Sequence, residues 1–141
     1  MLQRRMNSLN QPPAAAAGQF DVVVADDNHD AADSLVQLIN SLGYAALAVY
    51  SGVEAVQAQR RLMPALMLMD IQMPLMDGYE AARHIREEGP HCPRLAALTS
   101  LSSEQDRKKS LDAGFNVHLV KPIGVAQLGK LLEETGHRAV H

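Results

Sequence analysis

Paired cysteines, long apolar runs and an excess of basic residues are all missing from this sequence, and each absence excludes a class of protein. A single cysteine, Cys92, cannot form a disulfide within the chain, which favours a reducing compartment. No apolar run approaches the roughly 20 residues of a membrane-spanning helix, and the N-terminus has no apolar core like that of a secretory signal. We therefore expect a cytoplasmic protein whose chain makes no contact with a membrane.

Positive charge is scarce as well. The chain has 13 lysines and arginines against 16 aspartates and glutamates, and its net charge is −3. Arg4 and Arg5 lie among the first twenty residues, which contain no acids, so the rest of the chain is more acidic still. An acidic domain lacks the positive surface that the phosphate backbone of nucleic acids attracts. We expect no direct contact with nucleic acid.

The length of 141 residues suits one domain, and 47% of the residues are hydrophobic, which is enough for a real core. Residues 1–19 contain a Pro-Pro pair and four consecutive alanines but no strand pattern. They predict a flexible tail or linker. We expect the ordered domain to span residues 20–137 and residues 138–141 to form a C-terminal tail.

Strand and helix patterns alternate through the ordered domain. The predicted strands cover 20–25, 45–49, 65–69, 95–98 and 117–120, and the predicted helices cover 30–42, 53–62, 78–87, 102–113 and 124–135. Strict alternation predicts an α/β fold: a doubly wound, five-stranded parallel sheet with helices on both faces. With one short unit per strand, the flavodoxin-like strand order 2-1-3-4-5 is the natural choice.

Residue spacing predicts the buried faces of the helices and their ends. The inward positions of the first and last helices are Ala31, Leu35, Leu38, Ile39, Leu42, Val125, Leu128, Leu131 and Leu132. Asn28 or Asp30 is expected to cap the first helix. Ser102 or Ser103 is expected to cap the fourth. Asp77-Gly78 reads as a turn.

Polar side chains fall at the ends of four predicted strands. Asp26 and Asp27 follow the first strand, and Asp70 follows the third. Thr99 ends the fourth strand, and Lys121 follows the fifth. In a parallel sheet these ends share one edge, and strands one and three are neighbours at the switch point where α/β sheets bind ligands. We expect three carboxylates, a hydroxyl and an ammonium group to converge there.

This cluster predicts metal-assisted phosphoryl transfer. Three close carboxylates repel one another unless a cation lies among them, and a few carboxylates with several waters suit Mg²⁺. Lys121 and the Thr99 hydroxyl can contact phosphoryl oxygens, and Asp70 is placed as a nucleophile that forms an aspartyl phosphate. Taken singly, each residue has an ordinary structural interpretation, as a helix cap, a buried hydroxyl or a solvated lysine. Only their joint placement predicts chemistry.

Together these residues resemble the receiver domain of two-component response regulators. The resemblance covers roughly residues 20–135, and its motifs are Asp26-Asp27, Asp70, Met73-Pro74, Asp77-Gly78, Thr99 and Lys121-Pro122. It implies that Asp70 accepts a phosphoryl group from a phosphohistidine, so the partner is a histidine kinase or a histidine phosphotransfer domain. It also implies a monomer or weak dimer that is not an enzyme as a stand-alone domain.

The same resemblance implies roles for individual residues. Asp26, Asp27, Asp70 and the backbone carbonyl of Gln72 hold Mg²⁺. Thr99 and Lys121 contact the phosphoryl group, and the peptide bond before Pro122 is cis.

Two features depart from the commonest pattern of the family. His118 occupies a position on the fifth strand that is often tyrosine or phenylalanine. It is a switch residue together with Thr99, or equally an exposed strand residue. The sequence from Asp27 to Leu35 resembles the receivers of hybrid sensor histidine kinases, and we expect no output domain after the fifth helix. We expect a stand-alone receiver or one excised from a hybrid kinase.

Two other functions are compatible with these residues. One is a phosphatase with an aspartyl-phosphate intermediate, but such enzymes usually carry a second acid two residues after the nucleophile. Here that residue is Gln72, which has no labile proton to donate. The other is a degenerate receiver that serves only as a binding surface, and the presence of all five key residues argues against it.

Overall fold

The computed structural model describes residues 20–89 and 93–135. The predicted tail 1–19, Cys92 and residues 136–141 lie outside the described residues. The strands are β1 (Val22–Ala25), β2 (Ala46–Val49), β3 (Leu66–Asp70), β4 (Arg94–Thr99) and β5 (Val117–Val120). The helices are α1 (His29–Ser41), α2 (Gly52–Leu62), α3 (Gly78–Glu87), α4 (Glu104–Ala113) and α5 (Val125–Thr135). Where the predicted bounds differ from these, they differ by one or two residues, the usual uncertainty at element ends.

All strand pairs are parallel, and the order across the sheet is β2-β1-β3-β4-β5. This confirms the predicted fold class and strand order. Because the strands run in one direction, their carboxyl ends all lie at one edge of the sheet, which we call the carboxyl edge. No helix in the described part of the chain is long and apolar enough to span a membrane.

The core consists of two apolar clusters, one on each face of the sheet. Val23, Met67 and Met69 pack against residues of α2 and α3, and Phe115 joins them. The alternate strand residues, such as Leu68, pack on the other face against α1 and α5. Burial on both faces explains why the strand sequences are continuous apolar runs rather than alternating ones.

Two positions predicted to be buried are exposed. Ala31 is exposed, and Ala32 is buried in its place. The buried stripe of α1 contains Ala32 and Ile39, which are seven residues apart and therefore share a face. Val125 is 56% exposed, because it is the first residue of α5 and lies at the carboxyl edge. The other predicted inward positions of α5 are buried: Leu128, Leu131 and Leu132.

Side chains cap the N-terminal ends of helices that follow the strands. Asn28 caps α1, and its Oδ1 accepts a hydrogen bond from the Ala31 N–H at 3.1 Å. Ser103 caps α4 in a capping box. Asp77, predicted as part of a turn, is instead the cap of α3 and forms a capping box with Glu80. These caps satisfy backbone N–H groups that the first helical turn leaves unpaired.

Arg86 fastens the C-terminal end of α3 to the opposite edge of the sheet, the amino edge. Its guanidinium donates to the Gly114 carbonyl at 2.8 Å and to the Pro93 carbonyl at 3.1 Å. A third bond, at 2.7 Å, reaches Asn116 Oδ1, which also accepts from the Leu95 N–H. One side chain thus connects α3 with the residues before β4 and before β5.

We expect Arg86→Met to lower the free energy of unfolding by about 1–3 kcal/mol, because three hydrogen bonds to a charged donor are lost. Methionine keeps an unbranched apolar stem, so packing changes little. The measurement is chemical denaturation, with Arg83→Met as the control, since Arg83 lies on the same helix but is exposed. Equal stability of the two variants would show that the Arg86 bonds do not stabilise the fold.

Candidate functional site

The carboxyl edge brings together all five polar residues predicted from the strand ends. Asp26 follows β1 directly, and Asp70 and Thr99 are the last residues of β3 and β4. Lys121 follows β5, and its backbone N–H donates to the Thr99 carbonyl at 2.8 Å. Asp27 completes the set. β1 and β3 are neighbours in the sheet, so the aspartates of the two strands meet at the switch point.

Three carboxylates form a compact group at this point. Asp26, Asp27 and Asp70 each offer one carboxylate oxygen, and the three oxygens lie within 4.8 Å of one another. Asp26 and Asp70 are buried, whereas Asp27 is exposed. A site made of hard oxygen atoms and open to water on one side suits a small divalent cation such as Mg²⁺, which keeps several waters when it binds.

Lys121 contacts both buried carboxylates. Its Nζ lies 3.3 Å from Asp26 Oδ2 and 3.4 Å from Asp70 Oδ1. Burial alone lowers the pKa of Lys121, but the charges of Asp70 and Asp26 outweigh burial and raise it. The ammonium group therefore stays protonated, and it compensates part of the negative charge that the fold buries.

Asp70 is in a less favourable electrostatic environment than Lys121. Burial raises its pKa, and the neighbouring charge of Asp26 raises it further, while Lys121 and the Gln72 N–H act in the opposite direction. The net shift is upward, so the folded protein disfavours the charged form of Asp70. A cation beside Asp70 would favour the charged form, and the three oxygens within 4.8 Å are placed to hold one.

Each site side chain at the end of a strand also fixes the loop that follows it. Asp26 Oδ1 accepts from the Asn28 N–H at 3.0 Å, and Thr99 Oγ1 accepts from the Leu101 N–H at 3.0 Å. Asp70 Oδ1 accepts from the Gln72 N–H at a longer 3.4 Å. In all three cases the donor is two residues further along the chain, the geometry of Asx and Ser/Thr turns. A group that binds to these oxygens therefore acts on the loops as well.

Close backbone approach explains the glycines that begin α2 and α3, Gly52 and Gly78. A Cβ on Gly78 would lie 2.6 Å from the Asp70 carbonyl oxygen, so only glycine allows the loop after β3 to return to the strand end. A Cβ on Gly52 would lie 2.5 Å from the Met76 carbonyl oxygen. Neither glycine was predicted as a site residue, because a glycine in a turn is too common a pattern to reveal such a contact.

His118 is half-buried and hydrogen-bonded through both ring nitrogens. Its Nε2 lies 2.9 Å from the Leu101 carbonyl, and its Nδ1 lies 2.8 Å from Ser110 Oγ. The interpretation of His118 as a plain exposed strand residue therefore does not fit. The peptide bond between Lys121 and Pro122 is cis, as the resemblance implied. Gln72 is exposed, and its backbone N–H is the group that contacts Asp70.

Comparison with known proteins gives one family. Residues 22–133 match the family model described as the response regulator receiver domain. A 14.6 kDa uncharacterized protein of Leptolyngbya boryana is 34% identical over 82% of this chain and 89% of its own length. The response regulator MprA of Mycobacterium leprae is 33% identical over 76% of this chain but only 46% of its own length. The chain thus spans about half of that regulator.

A hybrid kinase and a solved receiver structure are similar as well. Hybrid signal transduction histidine kinase L of Dictyostelium discoideum is 32% identical over 99% of this chain, which corresponds to 8% of the kinase. The crystal structure of the receiver domain of the sensor histidine kinase PA1611 from Pseudomonas aeruginosa has a TM-score of 0.75 and 32% identity. It covers 87% of this chain and 100% of its own, and it holds a magnesium ion in the active site cleft.

We expect Asp70→Asn to leave the fold intact and to raise the free energy of unfolding at neutral pH without divalent cations, on the order of 1 kcal/mol. The physical reason is that the folded state disfavours the charged carboxylate of Asp70, whereas asparagine has a similar shape and no charge. Denaturant unfolding measures the change. Asp112→Asn is the control, since Asp112 is exposed on α4. A less stable Asp70→Asn protein would contradict this electrostatic analysis.

Proposed function

The chain belongs to the response regulator receiver family, and from that premise we propose that it is a phosphoacceptor module of a two-component phosphorelay. The observation that carries the proposal is the group of three carboxylates within 4.8 Å of one another, with the Lys121 ammonium against the two buried members. Receiver domains interact with histidine kinases or phosphotransfer partners, and they are typically not true enzymes. In the proposed reaction, an Asp70 carboxylate oxygen attacks the phosphorus of a partner's phosphohistidine. The O–P bond forms, the P–N bond breaks, and its electron pair stays on the imidazole nitrogen.

The residues around Asp70 provide positioning and charge. Asp26, Asp27, Asp70 and the Gln72 backbone carbonyl would hold Mg²⁺, which supplies positive charge against the phosphoryl oxygens. Lys121 contacts a phosphoryl oxygen with its ammonium group, and Thr99 donates its hydroxyl proton to another. Both groups are already at the carboxyl edge, so little reorganisation precedes the reaction. Thr99 and His118 act as the switch, because both bond to the Leu101 peptide group.

Exposed apolar side chains around the site support a protein as the phosphodonor. Four of the large exposed hydrophobic residues in the described part of the chain follow four different strands: Val53, Leu75, Leu101 and Val125. We call them the apolar rim. Leu75 is fully exposed at a left-handed φ of 71°, a conformation that costs a non-glycine residue about 1–2 kcal/mol. A rim of this kind around an acidic centre suits a protein partner that buries apolar surface.

The remaining parts of the proposal concern the cellular setting. The receiver domain spans residues 20–137, acts in the cytoplasm as a monomer or weak dimer, and contacts neither nucleic acid nor a membrane directly. Similarity to a hybrid kinase and to the receiver of a sensor kinase supports a place within or beside such a kinase.

Phosphorylation by a small donor tests the proposal. We expect one phosphoryl adduct per chain when the protein is incubated with phosphoramidate and Mg²⁺, and none for Asp70→Asn, which lacks the nucleophilic oxygen. Intact-mass measurement follows both. Asp112→Asn is the matched control and should be phosphorylated like the wild type.

Other outcomes reject parts of the proposal. An adduct on Asp70→Asn would reject Asp70 as the acceptor, and undiminished phosphorylation in excess chelator would remove Mg²⁺ from the mechanism. Continuous turnover of phosphate esters would indicate a phosphatase. No adduct under any condition would indicate a domain that serves only as a binding surface.

We expect a long-lived aspartyl phosphate, because hydrolysis requires a water in line with the phosphorus. Leu101 lies two residues after Thr99, and its side chain cannot orient a water. Leu101→Glu should shorten the lifetime by about tenfold or less, which corresponds to at most about 1.4 kcal/mol of barrier. The loaded protein is freed of donor and followed by mass. Leu111→Glu, at an exposed position of α4, controls for the added charge. A wild type that decays as fast as Leu101→Glu would rule out shielding by Leu101.

A further inference from the structure

Ser110 is a fully buried polar residue in α4, which is otherwise mostly exposed. Its hydroxyl lies 2.8 Å from His118 Nδ1. Ser110 also lies beside Tyr79 of α3, whose pKa is raised by burial. A serine that is completely enclosed between two helices and a strand needs a partner for its hydroxyl, and here the partner on the strand is His118.

The chemistry of the partners assigns the protons on the His118 ring. The Leu101 carbonyl can only accept a hydrogen bond, so the proton in that contact is on Nε2. In the neutral imidazole, Nδ1 is then the acceptor, and the Ser110 hydroxyl is its donor. Ser110 therefore favours the one tautomer and ring orientation in which His118 can hold the Leu101 carbonyl.

The Leu101 peptide continues this connection to the site. Its carbonyl is held by His118, and its N–H donates to Thr99 Oγ1 at 3.0 Å. Because one lone pair of Thr99 Oγ1 is directed to that N–H, the direction of the remaining hydroxyl proton is restricted. A sequence of hydrogen bonds thus leads from the interior of α4 to the hydroxyl at the end of β4.

We propose that Ser110 is a positioning residue: its hydrogen bond holds His118 so that the Leu101 peptide presents the Thr99 hydroxyl to the phosphoryl group. The proposal rests on the function proposed above for Thr99. It adds a residue of α4 that touches neither the phosphoryl group nor the metal ligands. Its role is to link the packing of α4 with the geometry of the phosphoryl site.

The direct test is spectroscopic and needs no phosphorylation. In ¹⁵N-labelled wild-type protein, the His118 Nε2 proton should be protected from exchange and visible as an imidazole N–H signal. Ser110→Ala should lose that signal, since the ring is no longer held at Nδ1. Alanine is nearly isosteric and a better helix former, so the fold is retained. Ser102→Ala, at an exposed serine before α4, should keep the signal.

A kinetic cycle tests the consequence at the site. Ser110→Ala should slow phosphorylation by phosphoramidate about three- to tenfold, the effect of losing one neutral hydrogen bond. In a His118→Phe background the same substitution should cause no further loss, because it acts through the histidine.

Two results would overturn the proposal: a protected Nε2 proton in Ser110→Ala, or an equal kinetic effect of Ser110→Ala with and without His118. If the wild type takes up no phosphoryl group, the function proposed for Asp70 and Thr99 fails. The imidazole signals still decide whether Ser110 holds His118.

Discussion

The contact of Lys121 with both Asp26 and Asp70 is the interaction on which the rest of the site depends. Asp26 and Asp70 are buried side by side, and isolated buried carboxylates are costly unless a positive charge compensates them. Lys121 supplies that charge from the end of β5, which lies two strands away from β3 in the sheet. Its backbone N–H is tied to Thr99, so the same residue joins the ends of β4 and β5. The strand order is what brings the ammonium group to the two carboxylates.

The sequence was sufficient to predict the fold and to predict that the strand-end side chains meet at one edge of the sheet. Apolar runs bounded by Gly, Pro and capping residues identify five strand–helix units, and only a parallel sheet accommodates their strict alternation. Asp26, Asp70, Thr99 and Lys121 then follow from one geometric fact, that parallel strands end at a common edge. These predictions depend on residue patterns within short segments, and such patterns can be found in the sequence alone.

The sequence could not predict contacts between distant segments, or which residues of an individual helix face the core. Ala31 and Ala32 differ by one residue, or about 100° around a helix, and a pattern of alanines does not decide between them. The role of Gly78 depends on how closely the loop returns to Asp70, and that of Ser110 on its position opposite His118. Asp77 resembled a turn residue because caps and turns use the same side-chain chemistry.

Asp26, Asp70 and Thr99, at the ends of β1, β3 and β4, each have two roles. Each presents oxygen atoms to the site, and each also accepts a hydrogen bond from the N–H two residues on. The bond from Gln72 to Asp70 is the longest of the three, at 3.4 Å. The residue proposed as the nucleophile is thus the one that its own loop holds most weakly.

The hydrogen bonds of Arg86 lie at the edge of the sheet opposite the candidate site. Its three bonds lie near the amino edge, about eight residues and roughly 12 Å along α3 from Gly78, which borders Asp70. Arg86, which anchors α3, and the charged residues of the candidate site are therefore different side chains at opposite edges of the sheet. Substitutions around Arg86 can change the stability of the fold while the chemistry of the site stays constant. The loops of the carboxyl edge can likewise change toward new partners while the rest of the fold stays constant. In this domain, stability near Arg86 and chemistry at the carboxyl edge can therefore change independently.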